Sequence, residues 1–356
     1  MLDIAMWNPR AGLDTAGGTE TFVRNMAQEL HHRPDTQVTL YTGADEAELG
    51  HVPVEVVPVW LKEGICNRVF RTLTPGLAPE IESLSGAVRL PDLTDHDLVT
   101  THYYLDAVLL SRLTDVPVVF RLPGIKQANW RWWLTFQSDV AAYVSNSPTT
   151  TTRVQNWDDR DLYGPVFAGV DTDQFKPDPG QTDPFRALYV GRLGEGKGLF
   201  RLLNAATLLD GTYQVHLVGD GPLRGDLEDY AGPNVTFHGT VPHDQIHKQY
   251  QQAGMLVLPT AHEAFPVCVI EALATGTPVI TTDIDATRLT ITSGKNGLLL
   301  PDRRATTIKQ AIQAVTDYDR PVQEAVETAD QYRWEHQASR FRCICERVYR
   351  DSKQRE

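Results

Sequence analysis

The sequence predicts an α/β protein built from two doubly wound, Rossmann-like domains facing each other across a cleft. Three observations lead there. At 356 residues the chain exceeds what one hydrophobic core usually serves. Short apolar runs alternate throughout with segments of helical spacing, as parallel βαβ units require. A stretch rich in Pro and Gly interrupts this alternation near the middle of the chain.

In the first half the runs predict strands at Asp3 to Trp7, Gln37 to Thr42, Val52 to Val57, Asp97 to Thr101, Val116 to Arg121 and Ala141 to Ser145. The second half repeats the pattern more cleanly, at Arg186 to Gly191, Tyr213 to Gly219, Asn234 to His238, Met255 to Pro259, Pro278 to Thr282 and Gly297 to Leu300. After Lys197, the spacing of Leu199, Leu202, Leu203 and Ala206 by threes and fours predicts a helix with one apolar face. The interdomain linker is placed near Lys176 to Pro184, where Pro and Gly forbid a regular helix. These readings give a first domain over residues 1–170 and a second over 171–334. The stretch Trp334 to Asp351 reads as an amphipathic helix with Phe341, Ile344, Val348 and Tyr349 on its apolar side.

Composition narrows the function. Hydrophobic and charged fractions of 41% and 22% belong to a soluble globular protein and exclude disordered or collagen-like classes. The net charge of -13 and the absence of a dense basic run argue against a nucleic-acid partner. Cys66, Cys268, Cys343 and Cys345 are too few and too irregular for a disulfide framework or a paired-CxxC zinc site, which points to a reducing cytoplasm. No uninterrupted apolar run reaches the roughly 18 residues of a membrane span, and the start lacks the basic and apolar segments of a secretory signal.

The strongest local signal is the turn Gly191, Arg192, Leu193, Gly194, Glu195, Gly196, Lys197 and Gly198, which leaves a strand and enters a helix. Glycines let a backbone approach a bound group, a helix start offers free N–H donors, and Arg192 and Lys197 add two cations. That combination suits a diphosphate, although a glycine-rich turn with two solvated cations has the same appearance. A second signal places Glu263 and Glu271 on either side of a strand-to-helix junction, with Pro266 in the first turn. Two carboxylates over one helix start can accept hydrogen bonds from sugar hydroxyls, or can simply cap the helix.

Weaker features complete the set. Gly17 and Gly18 precede a helix carrying Phe22, Val23, Met26 and Leu30, and Gly219, Asp220, Gly221 and Pro222 follow a strand. Either loop can face a ligand or serve as a plain turn. His102 sits at the end of a strand, where side chains reach the ligand crevice of such sheets. Trp130, Trp132, Trp133, Phe136 and Lys126 fit an acceptor pocket, a headgroup-level membrane contact or simple burial.

In order and spacing these motifs, together with the run Gly169 to Pro177 and the run Glu271 to Val279, resemble the GT-B-fold retaining glycosyltransferases of family 4 over nearly the whole chain. The resemblance implies that Arg192 and Lys197 hold the donor diphosphate, Glu271 the ribose hydroxyls and Glu263 the hydroxyls of the transferred sugar. It implies that Gly17 and Gly18 close over the donor from the other domain. Ala264, Phe265, Pro266 and Val267 would lie near the phosphates and sugar, Gly219, Asp220, Gly221 and Pro222 near the base, and helix 335–356 would return to the first domain. Two departures stand out: Phe120 to Gly124 lacks the His that many relatives carry, leaving His102 or Arg121 for its place, and Ala168 replaces a common Asn.

The implied activity moves a hexosyl group from a nucleotide-diphosphate sugar to a hydroxyl of a glycan, lipid-linked or small-molecule acceptor. No cofactor and no essential metal are implied, and the expected location is cytoplasmic, with room for a peripheral membrane contact. A nucleotide-sugar epimerase or phosphorylase and a non-catalytic nucleotide-sugar binder share the architecture. A nicotinamide dehydrogenase is disfavoured because the first strand is not followed by GxGxxG.

Overall fold

A computed structural model describes residues 1–11, 18–45, 47–59, 78–122, 130–156, 162–316 and 322–354. The chain divides into two compact units, one made of Met1–Ala168 with Trp334–Glu356, the other of Gly169–Arg333. Each is a parallel sheet flanked by helices, the doubly wound arrangement expected from the alternating runs.

Among the described residues the first sheet has seven strands, β1 (Leu2–Trp7), β2 (Thr36–Thr42), β3 (Val54–Val56), β4 (Leu98–Thr101), β5 (Val118–Arg121), β6 (Ala142–Val144) and β7 (Leu162–Tyr163). Their spatial order is β3-β2-β1-β4-β5-β6-β7, so the winding reverses between β1 and β4. β7 was not expected from the sequence, since two residues are too few to carry a period. The helix Trp334–Lys353 belongs to this unit and packs on the helix Gly18–His31. Trp334, Ala338, Phe341, Cys345 and Val348 join Phe22, Met26 and Leu30 in one buried cluster with Ile4 and Met6 of β1. Ile344 and Tyr349 are only partly buried at its edge. Because apolar residues recur every three to four positions on both helices, each presents a stripe that is buried against the other helix and the sheet.

The second sheet contains β8 (Asp183–Val190), β9 (Gln214–Val218), β10 (Val235–Gly239), β11 (Ala253–Leu258), β12 (Val279–Thr282) and β13 (Gly297–Leu300). Their order, β10-β9-β8-β11-β12-β13, is the dinucleotide-fold order, with its reversal between β8 and β11. Every residue of β11 and of β12 is buried, which explains their unbroken apolar or β-branched runs, as helices cover both faces of a parallel sheet. The helix Leu199–Leu208 buries Leu199, Leu202, Leu203 and Ala206 as their spacing predicts.

The linker position is corrected. Residues 176–184 lie inside the second unit: Phe175 is buried against Tyr250, Thr182 donates a hydrogen bond to the Gln251 carbonyl, and β8 begins at Asp183. Pro and Gly leave no α-helix there, only the single 3-10 turn Pro179–Gln181, but do not prevent packing. No helix among the described residues is long and apolar enough to cross a membrane.

Candidate functional site

Sheet order decides where a ligand can sit in the second unit. Adjacent strands whose connections run to opposite sides leave a crevice beyond their carboxyl ends, and β8 and β11 are such a pair. The turn after β8 and the loop after β11 therefore meet. The Ala261 amide donates to the Gly196 carbonyl at 2.7 Å, which joins these two loops. The loop after β9 is joined as well, through Leu193 N to Asp220 O at 2.9 Å and Leu223 N to Leu193 O at 3.0 Å. Two glycines make this packing achievable. Gly198 has φ +73° and Gly219 φ +126°, and a Cβ would overlap the Pro259 carbonyl at the first and the Gly191 carbonyl at the second.

Lys197 Nζ lies 2.6 Å from Glu263 Oε1, with side-chain exposures of only 28% and 14%. Beside them starts the helix Val267–Ala274. Its N-cap is Pro266, one position earlier than the first-turn place expected of it, and no side chain caps the helix. Val269 N donates back to the Pro266 carbonyl at 3.0 Å, which leaves the N–H groups before it for a ligand or water, and the helix dipole makes them suited to an anion. Glu271 lies one turn further on and is buried; Tyr250 OH donates to its Oε2 at 2.7 Å, and His243 Nε2 is 3.2 Å from its Oε1. The Cys268 thiol is pushed well above its ordinary pKa by burial first, then by the charges of Glu263 and Glu271, against an opposing effect of Lys197. Cys268 and Glu271 are carried on the helix that starts four residues after Glu263, the partner of Lys197.

The remaining expected residues of this unit are placed as follows. Arg192 lies in the same turn, where its carbonyl accepts from Tyr189 OH at 3.0 Å; its guanidinium makes no hydrogen bond or ion pair among the described residues. Ala264, Phe265, Pro266 and Val267 form the approach to the helix start, with the Phe265 ring tilted against that of Tyr332 at 5.2 Å. Asp220 is engaged within its own loop, accepting from Gly221 N at 2.6 Å and facing Arg224 at 3.5 Å. His243 and Tyr250 hold Glu271, with Phe175 packed against both, and they were missed from the sequence because no spacing links these separate rings to one carboxylate.

In the first unit, Gly18 opens the helix Gly18–His31 and is exposed, whereas Gly17 lies outside the described residues, as do Lys126 and Cys66. His102 is 2% exposed, and its ring makes no well-formed hydrogen bond, only a contact with the Trp7 backbone that opposes the effect of burial. Burial, then the Arg121 charge, lowers its pKa to about 3, so the ring is neutral and packs on Phe22 at 5.7 Å. Arg121 is also buried, its guanidinium 3.5 Å above the Phe22 ring and donating to the Val166 carbonyl at 3.0 Å; burial lowers its pKa to about 9. The tryptophans separate: Trp132 is buried against Tyr104, while Trp133 is 67% exposed. Among the described residues no group of three or more His, Cys, Asp or Glu is arranged to hold a metal ion.

With this geometry in hand, the likeness to known proteins has a structural meaning. Residues 171–331, nearly the whole second unit, match the family model described as glycosyl transferases group 1. Over a 253-residue alignment the chain is 25% identical to the glycogen synthase of Mycobacterium tuberculosis, covering 64% of this chain and 60% of that enzyme. It thus spans less than two thirds of that relative. It is 26% identical to the D-inositol 3-phosphate glycosyltransferase of Corynebacterium urealyticum, over 93% of this chain and 91% of the other. The structure of sucrose-phosphate synthase from Thermosynechococcus elongatus superposes with a TM-score of 0.82 at 19% identity, covering 99% of this chain and 100% of that one. The two Rossmann-like units are therefore those of the GT-B fold, and the matches support the glycosyltransferase superfamily.

Proposed function

We propose that this protein is a retaining glycosyltransferase that moves a hexosyl group from a nucleoside diphosphate sugar to an acceptor hydroxyl. The observation that carries the reading is the meeting of Lys197 and Glu263, 2.6 Å apart, beside an uncapped helix start. A diphosphate needs cations and N–H donors, and a sugar needs carboxylate acceptors, all within one ligand's length. In this reading Arg192, Lys197 and the amides of Ala264 to Val267 receive the diphosphate. Glu263 accepts from the transferred sugar, Glu271 from the ribose, and the loop Gly219, Asp220 and Gly221 borders the base. In the first unit Gly17 and Gly18 are assigned to the donor and acceptor choice falls to that unit, whereas His102, buried and packed on Phe22, is assigned no contact with the sugar.

The reaction breaks the bond between the anomeric carbon and the diphosphate oxygen and forms a bond from that carbon to the acceptor oxygen on the same face. The acceptor's proton passes to the departing phosphate oxygen, so atoms and charge balance. Negative charge grows on the leaving group, and preorganised cations and N–H groups lower the barrier by meeting it. The protein itself supplies that charge, so the reading assigns no metal and no cofactor. The acceptor class is a glycan, a lipid-linked saccharide or a small molecule, and the reaction is assigned to the cytoplasm. A peripheral membrane contact would use the exposed Trp133, and co-sedimentation with anionic vesicles tests it.

A thermal-shift panel of UDP, ADP, GDP and their glucose conjugates tests the donor site, since a ligand that binds only the folded chain raises its melting point. At least one nucleotide should raise it in the parent and not in Lys197→Ala. A panel that leaves the melting point unmoved removes the proposal. Product analysis with a labelled donor then separates transfer from epimerisation and phosphorolysis.

A further inference from the structure

We infer that His243 is a positioning residue that holds the Glu271 carboxylate in the orientation needed to receive the two ribose hydroxyls of the donor. The inference rests on the donor site proposed above. An ionised carboxylate has two oxygens and about four acceptor directions. Here one direction on each oxygen is occupied by the protein, through Tyr250 OH on Oε2 at 2.7 Å and His243 Nε2 on Oε1 at 3.2 Å. A carboxylate only accepts, so the His243 nitrogen facing it carries the hydrogen. The two donors stop the carboxylate from rotating and leave one open direction on each oxygen. A vicinal diol presents two hydroxyls at the spacing such a carboxylate offers.

The two donors differ in kind. Tyr250 is fully buried and forms part of the floor. His243 is a rim residue: its side chain is 53% exposed, whereas that of Glu271 is 8% exposed. His243 is nonetheless held in place, with its ring 5.6 Å from that of the buried Phe175 and its carbonyl accepting from Gln174 Nε2 at 2.9 Å. Phe175 also contacts Tyr250 at 6.0 Å, so a single ring supports both residues that grip Glu271. The run from Gly169 to Pro177 thereby acts on the site without touching the carboxylate. A half-exposed imidazole fixed on two sides and aimed at a buried carboxylate is placed where an arriving nucleoside would meet it.

The test is a thermodynamic cycle that crosses a protein substitution with removal of the ligand hydroxyls, read by calorimetry with UDP, ADP and GDP and their 2′,3′-dideoxy counterparts as probes. For the nucleotide the parent binds, His243→Ala should weaken the ribose form by about tenfold, the low end of the range for a hydrogen bond to a charged group, since the His243 side chain is half exposed. The same change should leave the dideoxy form within about twofold, because the hydroxyls that used the positioned carboxylate are absent. His243→Gln, which keeps an N–H donor, should recover most of the loss. An equal penalty on ribose and dideoxy forms overturns the inference and points to a general packing role. So does a His243→Gln variant that binds the ribose form as weakly as His243→Ala. If the parent binds none of the three diphosphates, the donor reading itself fails, and that result is distinct from a parent that binds without coupling to His243.

Discussion

The Lys197 ammonium and the Glu263 carboxylate lie 66 residues apart in sequence and 2.6 Å apart in space, one on the turn after β8 and the other on the loop after β11. Neither strand alone creates the pair. It forms because the sheet reverses between β8 and β11, so that two loops far apart in sequence share one crevice. In the proposed reaction the ammonium faces the diphosphate and the carboxylate faces the sugar, and each holds the other in place until the donor arrives. Lys197→Ala should lower turnover by roughly 10²-fold or more, the scale of losing one charge-stabilising donor. Glu263→Gln should also be impaired, and the double variant should lose less than the two single losses combined, since each single change also strands a partly buried charge. Transfer at the parental rate in Lys197→Ala would show that the ammonium does not meet the leaving group.

The same turn makes a stability prediction that does not depend on the function. Gly198 is the N-cap of the helix Leu199–Leu208 and has a left-handed backbone, with the Pro259 carbonyl in the space of a side chain. Gly198→Ala combines backbone strain with a steric overlap that the neighbouring peptide must move to relieve. The variant should be destabilised by about 1–3 kcal/mol or more. Donor binding should weaken in parallel, because the displaced peptide lies at the foot of the loop that carries Glu263. Gly211→Ala serves as the control, as its Cβ would meet nothing within 4 Å. Equal melting points for the two variants would remove the steric account.

How far the sequence reveals this protein depends on the range of the interaction being read. Strand positions are legible because parallel strands are covered on both faces and so become uninterrupted apolar runs; Gly297–Leu300 of β13 matches its expected limits at both ends. The turn from Gly191 to Gly198 is legible because its chemistry is local, with glycines, two cations and a helix start in eight consecutive residues. His243 and Tyr250 are not legible, since they reach Glu271 across 28 and 21 residues, a proximity created only by folding. The expected linker at Lys176 to Pro184 misleads for a similar reason: Pro and Gly report backbone conformation, whereas the boundary between units depends on side-chain packing such as that of Phe175. His102 was read from its place at a strand end, but its burial against Phe22 could not be.

The helix Trp334–Lys353 follows the second unit in sequence but completes the core of the first, and Phe341 is the residue on which to test this. It is fully buried and meets the Phe22 ring edge-on at 6.4 Å. Phe341→Ala should cost about 3–5 kcal/mol, as other buried Phe truncations do. The loss should be local. Amide exchange in β1 and β2 should accelerate, while β11 and β12 should keep their protection. Uniform loss of protection across both sheets would show that the two units do not unfold separately.

Asp106 is wholly buried in the first unit, where its Oδ2 accepts hydrogen bonds from Trp7 Nε1 at 2.7 Å, from Ser83 and from Thr101, while its Oδ1 has no partner. Burial raises its pKa from 3.8 to about 8; the nearby charge of Glu80 adds to this, and the bonds from Ser83, Trp7 and Thr101 oppose it. The sign follows from proton counting. Between 3.8 and about 8 the folded chain keeps a proton on Asp106 that the unfolded chain has released. Raising the pH through this window therefore favours unfolding, so the stability supplied by the protonated carboxyl is complete below the window and gone above it. Asp106→Asn keeps an oxygen for the three donors and cannot ionise. Relative to that variant, the parent should lose stability steadily from pH 5 to pH 8 and then level off, as read from denaturant midpoints on both proteins. A parent and variant whose midpoints differ by the same amount across that range would mean that the carboxyl does not hold its proton in the fold.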